Sequence, residues 1–259
     1  MIKSFYRTSF VIALLFFMRI PGNSAKAKYA SLIIDAQTGL ELHSRNANTK
    51  KFPASLTKIM TLYMIFDALE NKKWSLRKRL KVSRRASRQP QTRLGLKRGS
   101  TITVKTAILA LITRSANDVA TVVAENMSGS EIKFARQMTR KARKLGMVRT
   151  TFRNASGLPN RRQLSTARDM AKLAIAIRTD FPQYYHFFKT KKFRYRGRTY
   201  RNHNMLLGRY SGTDGVKTGY TNASGYNLVA SVKRRGKHLI GIVLDRKSTR
   251  LNSSHNQIS

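Results

Sequence analysis

Gly215-Val216-Lys217-Thr218-Gly219-Tyr220-Thr221, Tyr226-Asn227-Leu228-Val229-Ala230-Ser231-Val232-Lys233 and His238-Leu239-Ile240-Gly241-Ile242-Val243-Leu244 close the last third of the chain. Rich in β-branched and aromatic residues, all three read as strands. Arg234-Arg235-Gly236 makes a tight turn between the last two, and Phe193 to Tyr200 reads as a hairpin around Gly197. The opposite end carries the same signal. Tyr29 to Ile34 is a strand, Asp35 to Gly39 supplies turn chemistry, and Leu40 to His43 returns. The middle is helical: Leu56, Ile59, Met60, Tyr63, Met64 and Ala68 recur at helical spacing, and Thr106–Ile112 and Val119–Ala124 read as buried helices. Ser130 opens a helix ending near Leu145-Gly146, and Ser165 or Thr166 caps another that runs to about Ile177. Lys72 to Arg98 is polar and basic, a region of loops and short elements. Strands at both ends with helices between predict an α+β chain whose single sheet gathers both ends.

The chain has 259 residues, 41% of them hydrophobic, enough for one large domain or two small ones. It has no cysteine, which excludes disulfides, thiolate catalysis and cysteine-based zinc sites. Lys3 and Arg7, the apolar run Phe10 to Met18, and Ala25-Lys26-Ala27 have the order of a secretory signal peptide over residues 1–27, with the mature protein starting near Lys28. An uncleaved anchor or a buried core segment is the alternative. The net charge is +41; residues before Lys28 carry +4 and those after Leu244 carry +2, leaving +35 on the body. Such a field attracts polyanions. For an exported protein these are an anionic membrane surface or wall polymers, and the signal segment argues against nucleic acid.

The last fifteen residues, Asp245 to Ser259, stand apart. Asp245 to His255 back-translates to a run resembling a common sequencing adapter, and Asn256 to Ser259 fit an index and the bases after it. The expectation is that residues 245–259 are read-through of library DNA and that the domain over residues 28–244 is truncated at its C-terminal side.

Three short motifs carry chemistry. Ser-x-x-Lys occurs at Ser55/Lys58, Ser75/Lys78 and Ser130/Lys133. Ser75 sits in a charged stretch and Ser130 opens a helix as an ordinary cap. Ser55 lies at the start of an otherwise apolar helix and shares a face with Lys58, one turn on. Burial favours a neutral lysine, which then takes the serine proton; a simple cap is the competing reading. Ser115-Ala116-Asn117 follows the apolar stretch to Ile112, either as a turn or facing a site. Lys217-Thr218-Gly219 lies within a strand: Gly219 permits close approach of a ligand, and Lys217 and Thr218 could bind a carboxylate, unless the strand is a plain exposed edge.

Taken together and in this order, Ser55-x-x-Lys58, Ser115-x-Asn117 and Lys217-Thr218-Gly219 resemble the serine penicillin-binding proteins and class A β-lactamases. From about Lys28 to Leu244 the chain is similar to the low-molecular-mass D-Ala-D-Ala carboxypeptidases, peptidase family S11. Tyr29-Ala30-Ser31, Asn154 to Pro159, Ser165 to Asp169, Tyr200 to Asn204 and Asp214 to Thr221 add to the likeness. The resemblance implies a five-stranded antiparallel sheet beside a helical subdomain, with the site between them. It implies Ser55 as nucleophile, Lys58 as general base and Ser115 as proton relay supported by Asn117. Lys217 and Thr218 would hold the substrate carboxylate, and the backbone N–H groups of Ser55 and Tyr220, beside Gly219, would form the oxyanion hole. It implies no metal and no cofactor. Peptidoglycan stem peptides are the implied substrate and β-lactams the implied covalent inhibitors.

Neighbouring readings divide on single features. A class A β-lactamase deacylates with a glutamate between the second and third motifs; Glu125 and Glu131 fall there, both close behind Asn117, and the later region has none. Slow deacylation follows. A DD-endopeptidase uses the same site, and a basic wall-binding protein with a dead site is the non-enzyme alternative. A Ser-His-Asp hydrolase lacks Gly-x-Ser-x-Gly here, and His203 reads as structural. Relatives of this kind also place an arginine soon after the last strand, where this chain has Asn252.

Overall fold

A computed structural model describes Tyr29 to Arg246. The expected signal segment and residues 247–259 of the suspect tail lie outside the described residues.

Five strands form the main sheet in the order β2-β1-β9-β8-β7, every neighbouring pair antiparallel. They are β1 (Ala30–Asp35), β2 (Glu41–Arg45), β7 (Thr213–Thr221), β8 (Gly225–Arg234) and β9 (Lys237–Arg246). The three C-terminal runs become the meander β7-β8-β9, with Arg235-Gly236 at the predicted turn. β9 pairs with β1 on its other side, Ala30 opposite Leu244 and Leu32 opposite Ile242. β9 continues two residues past Leu244, and Asp245 there forms an ion pair with Lys51 at 2.7 Å. Two short ribbons complete the strands: β3 (Arg79–Lys81) with β4 (Thr101–Thr103), and β5 (Lys192–Tyr195) with β6 (Arg198–Arg201).

Side chains alternate across the sheet with the strand period of two. Ala30, Leu32, Val229, Ile240, Ile242 and Leu244 are buried on one face, where α6 (Ala167–Thr179) packs on β9, β1 and β8. On the other face Leu228, Val232, Leu239 and Val243 are half-buried and Ile33 is exposed.

The helices gather around α1 (Thr57–Glu70), which contacts α3 (Val104–Thr113), α4 (Asn117–Ser128), α5 (Glu131–Lys144) and α6. From Thr57 to Leu69 every α1 residue except Asp67 is buried. A helix buried all round is a core helix, so α1 is the axis of the helical subdomain and not one of its amphipathic faces. α5 is the contrast: Phe134, Ala135, Met138 and Ala142 point inward, while Lys133, Arg136, Arg140 and Lys144 are exposed. Caps fall where the sequence places them. Ser130 accepts the Lys133 N–H, and Thr166, not Ser165, accepts the Asp169 N–H. Short helices α2 (Arg84–Ser87), α7 (Pro182–Tyr185) and α8 (Leu206–Arg209) join these elements.

Candidate active site

Ser55 sits in a 3-10 turn, Ala54–Leu56, leading directly into α1. No side-chain cap is made there, so its hydroxyl is not occupied as a helix cap. The turn packs on β7 and β8 and is forced into an unusual shape. Ala54 has φ of +47°, a left-handed conformation that costs energy for a residue with a Cβ. Gly157 faces it: a Cβ there would stand 1.8 Å from the Ala54 carbonyl oxygen, so only glycine fits. On the other side Gly219 of β7 approaches so closely that a Cβ would fall 2.9 Å from Ser55 N.

Lys58 follows one turn later and is fully buried. Its Nζ lies 3.2 Å from Ser55 Oγ, 2.8 Å from Asn117 Oδ1 and 2.5 Å from the Ser156 carbonyl oxygen. Two of these partners only accept. A neutral amine satisfies all three, donating to Asn117 and Ser156 and offering its lone pair to the Ser55 hydroxyl. The electrostatics agree. Burial, then the nearby Lys217 charge, hold Lys58 well below the usual lysine range against the opposing pull of Asp118 and Glu131.

Ser115 precedes α4 with φ of +57°, and its buried Oγ has no hydrogen-bond partner in the protein. A strained residue holding an unsatisfied buried hydroxyl points to a substrate role over a turn role. Asn117 begins α4 and is locked in place: its Nδ2 donates to the Pro90 and Gln91 carbonyls, and its N–H donates to Thr92 O. That loop is braced in turn by buried Asp118, whose carboxylate accepts the N–H groups of Leu94, Gly95, Leu96 and Val119. Lys217 lies in edge strand β7, yet it is buried, donates to the Thr218 carbonyl, and is pushed by burial down to about 7.

These parts border one cleft of about 750 Å³. Ser55, Ser115, Asn117, Thr218, Gly219 and Tyr220 line it, while Lys58 and Lys217 stand behind the wall. The structure thus brings together the seven motif residues and Tyr220, whose part the resemblance implied. Sequence reasoning missed two supports. The Ser156 carbonyl is a backbone group with no side-chain signature. Glu131 holds the same loop by accepting the Ala155 N–H while pairing with Arg85. His203, read as structural, lines the cleft as an exposed residue. Partial burial and the charges of Lys217, Arg114 and Lys58 lower it to about 4, so it is neutral at pH 7.

Residues 19–248 match the family model for D-alanyl-D-alanine carboxypeptidases, peptidase S11. The chain is 38% identical over 86% of its length to D-alanyl-D-alanine carboxypeptidase DacC of Escherichia coli, spanning 57% of that protein. It is 34% identical over 83% of its length to DacF of Bacillus subtilis, spanning 56%. The chain therefore spans a little over half the length of these relatives. Penicillin-binding protein D2 of Listeria monocytogenes, solved in its ampicillin-bound form, superposes with a TM-score of 0.77 at 31% identity, covering 88% of this chain and 93% of that one. A match over so much of the sequence, on this fold and this arrangement of motifs, places the chain in the peptidase S11 family.

Proposed function

We propose that this chain is a serine-type D-Ala-D-Ala carboxypeptidase that removes the terminal D-alanine from peptidoglycan stem peptides. The observation that carries the reading is the set of partners around Lys58, which suits a neutral amine beside a serine hydroxyl. Lys58 takes the proton of Ser55 Oγ as that oxygen bonds to the carbonyl carbon of the penultimate D-Ala. The N–H groups of Ser55 and Tyr220 receive the developing oxyanion. The proton passes from Lys58 through Ser115 Oγ to the amine of the terminal D-Ala, and the C–N bond breaks. Water then adds to the acyl carbon, Lys58 again takes a proton, and Ser55 is released with the shortened peptide. Thr218 and Lys217 hold the terminal carboxylate, and binding it favours the charged form of Lys217.

The same serine opens β-lactams, and the adduct persists. No aspartate or glutamate lines the cleft among the described residues, and Glu131 is engaged by Arg85 and the Ala155 N–H. No carboxylate is therefore placed to activate water against a penicilloyl ester. The N-terminal charge and apolar pattern support export to the periplasm, where the substrate lies and trimming of stem peptides contributes to wall building and cell shape. The net charge of +41 supports attraction to an anionic membrane surface or wall polymers.

Intact-mass measurement after incubation with benzylpenicillin tests the reading. A lasting one-to-one adduct on the Ser55 peptide, absent in Ser55→Ala, is expected. A folded chain that forms no adduct would overturn it, and rapid turnover would make the chain a β-lactamase. Product analysis on monomeric and cross-linked muropeptides separates carboxypeptidase from endopeptidase action.

A further inference from the structure

The ribbon β5-β6 has a charge pattern that the catalytic reading does not use. No acidic residue occurs between Asp180 and Asp214, a stretch that holds eight lysines and arginines. Lys191, Lys192, Arg194 and Arg201 are all exposed on this ribbon. Lys192 stands directly opposite Arg201 in the register, and like charges so placed destabilise a strand pair. The ribbon is held instead by its other face, where Phe193 stacks with Tyr195 and Tyr200 at ring separations of 6.2 and 6.3 Å. The Arg114 guanidinium, beside catalytic Ser115, lies 5.6 Å over the Tyr200 ring and ties the ribbon to the site. From β6 the chain runs straight into His203, Asn204, Met205 and Leu206 of the cleft wall. A cationic surface is therefore built at stability cost and joined to the mouth of the cleft.

We infer that the β5-β6 ribbon is an exosite for the polyanionic wall strand whose stem peptides enter the cleft. This rests on the carboxypeptidase reading, which supplies the partner's chemistry. Every uncrosslinked stem ends in a carboxylate, so a glycan carrying many stems is a polyanion. While one stem occupies the cleft, neighbouring stems meet the ribbon. A membrane surface is the poorer fit, because the ribbon exposes no large hydrophobic residue to insert among lipids.

The test compares two variants of equal charge change. One carries Lys191→Gln, Lys192→Gln, Arg194→Gln and Arg201→Gln; the other carries Lys133→Gln, Arg136→Gln, Arg140→Gln and Lys144→Gln on the exposed face of α5. Co-sedimentation with purified, protein-free sacculi is measured at low and high salt, beside phosphatidylglycerol vesicles, with thermal midpoints confirming that both variants fold. At low salt the ribbon variant should lose roughly tenfold or more in affinity for sacculi and the α5 variant about twofold or less, with the difference erased by high salt. Equal losses would mean that only the overall charge matters, and no loss in either would mean no exosite; each overturns the proposal. Ribbon-dependent binding to vesicles without ribbon-dependent binding to sacculi overturns it in favour of lipid. Acylation of the unmodified protein by benzylpenicillin reports the catalytic reading separately, because sedimentation requires no turnover.

Discussion

The α-hydrogen of Gly219 points at the backbone nitrogen of Ser55, so that a methyl group in its place would stand only 2.9 Å away. The strand motif and the nucleophile motif are thus in contact through their backbones. Gly219→Ala should push β7 off the Ser55 N–H and lower the rate of acylation by benzylpenicillin by on the order of a hundredfold, the scale of losing one oxyanion donor. Gly157→Ala, at φ of +86° and against the Ala54 carbonyl, should instead show as lost stability of more than about 2 kcal/mol in urea unfolding.

Lys58→Arg fixes a positive charge at this position and removes the neutral form, because a guanidinium does not give up its proton in a protein. Stopped-flow acylation should slow by roughly 10²–10⁴-fold, the range for loss of a general base. An arginine variant that acylates at the normal rate would show that Lys58 serves through its charge alone.

Lys217 gives a signed pH prediction. Its folded value is about 7, and the unperturbed value is 10.5. Between those limits the unfolded chain holds a proton that the folded chain has released. Stability therefore rises with pH across this window and its benefit is lost as pH falls toward 7. Urea midpoints of the wild type minus those of Lys217→Met should increase from pH 7 to pH 10; a flat difference would mean that Lys217 is charged in the fold.

Asp118→Asn removes a buried carboxylate that accepts four backbone N–H groups around the 94–96 loop. Bonds to a charged acceptor are the stronger kind, so the variant should lose about 2–3 kcal/mol by chemical denaturation. Because that loop anchors Asn117, its acylation should also slow.

Much of this was legible because it depends on side-chain type and spacing. The strands β7 to β9 announce themselves through β-branched residues, the caps through Ser130 and Thr166, and the site through its three motifs. What escaped depends on backbone and on distance. The third partner of Lys58 is a carbonyl that any residue at position 156 would supply. The left-handed turn at Ala54 follows from packing against Gly157, a residue 103 positions away in a chain whose local propensity says nothing of it. The exposure of His203 on the cleft wall is set by how the chain leaves the β5-β6 ribbon for β7. The core role of α1 was hidden for a similar reason: spacing reports which residues are apolar, but burial on every side is decided by four neighbouring helices.

The position of β9 between β1 and β8 has a bearing on how the sheet is put together. Ala30 of β1 is met only by Leu244, so until β9 has formed one edge of β1 stays unpaired. Pairing over such a span makes folding slow and late. Without β9, the β1-β2 pair and the β7-β8 pair that packs on the Ser55 turn are two separate pieces of sheet. β9 is therefore the strand that splices these two pieces into one sheet against α6.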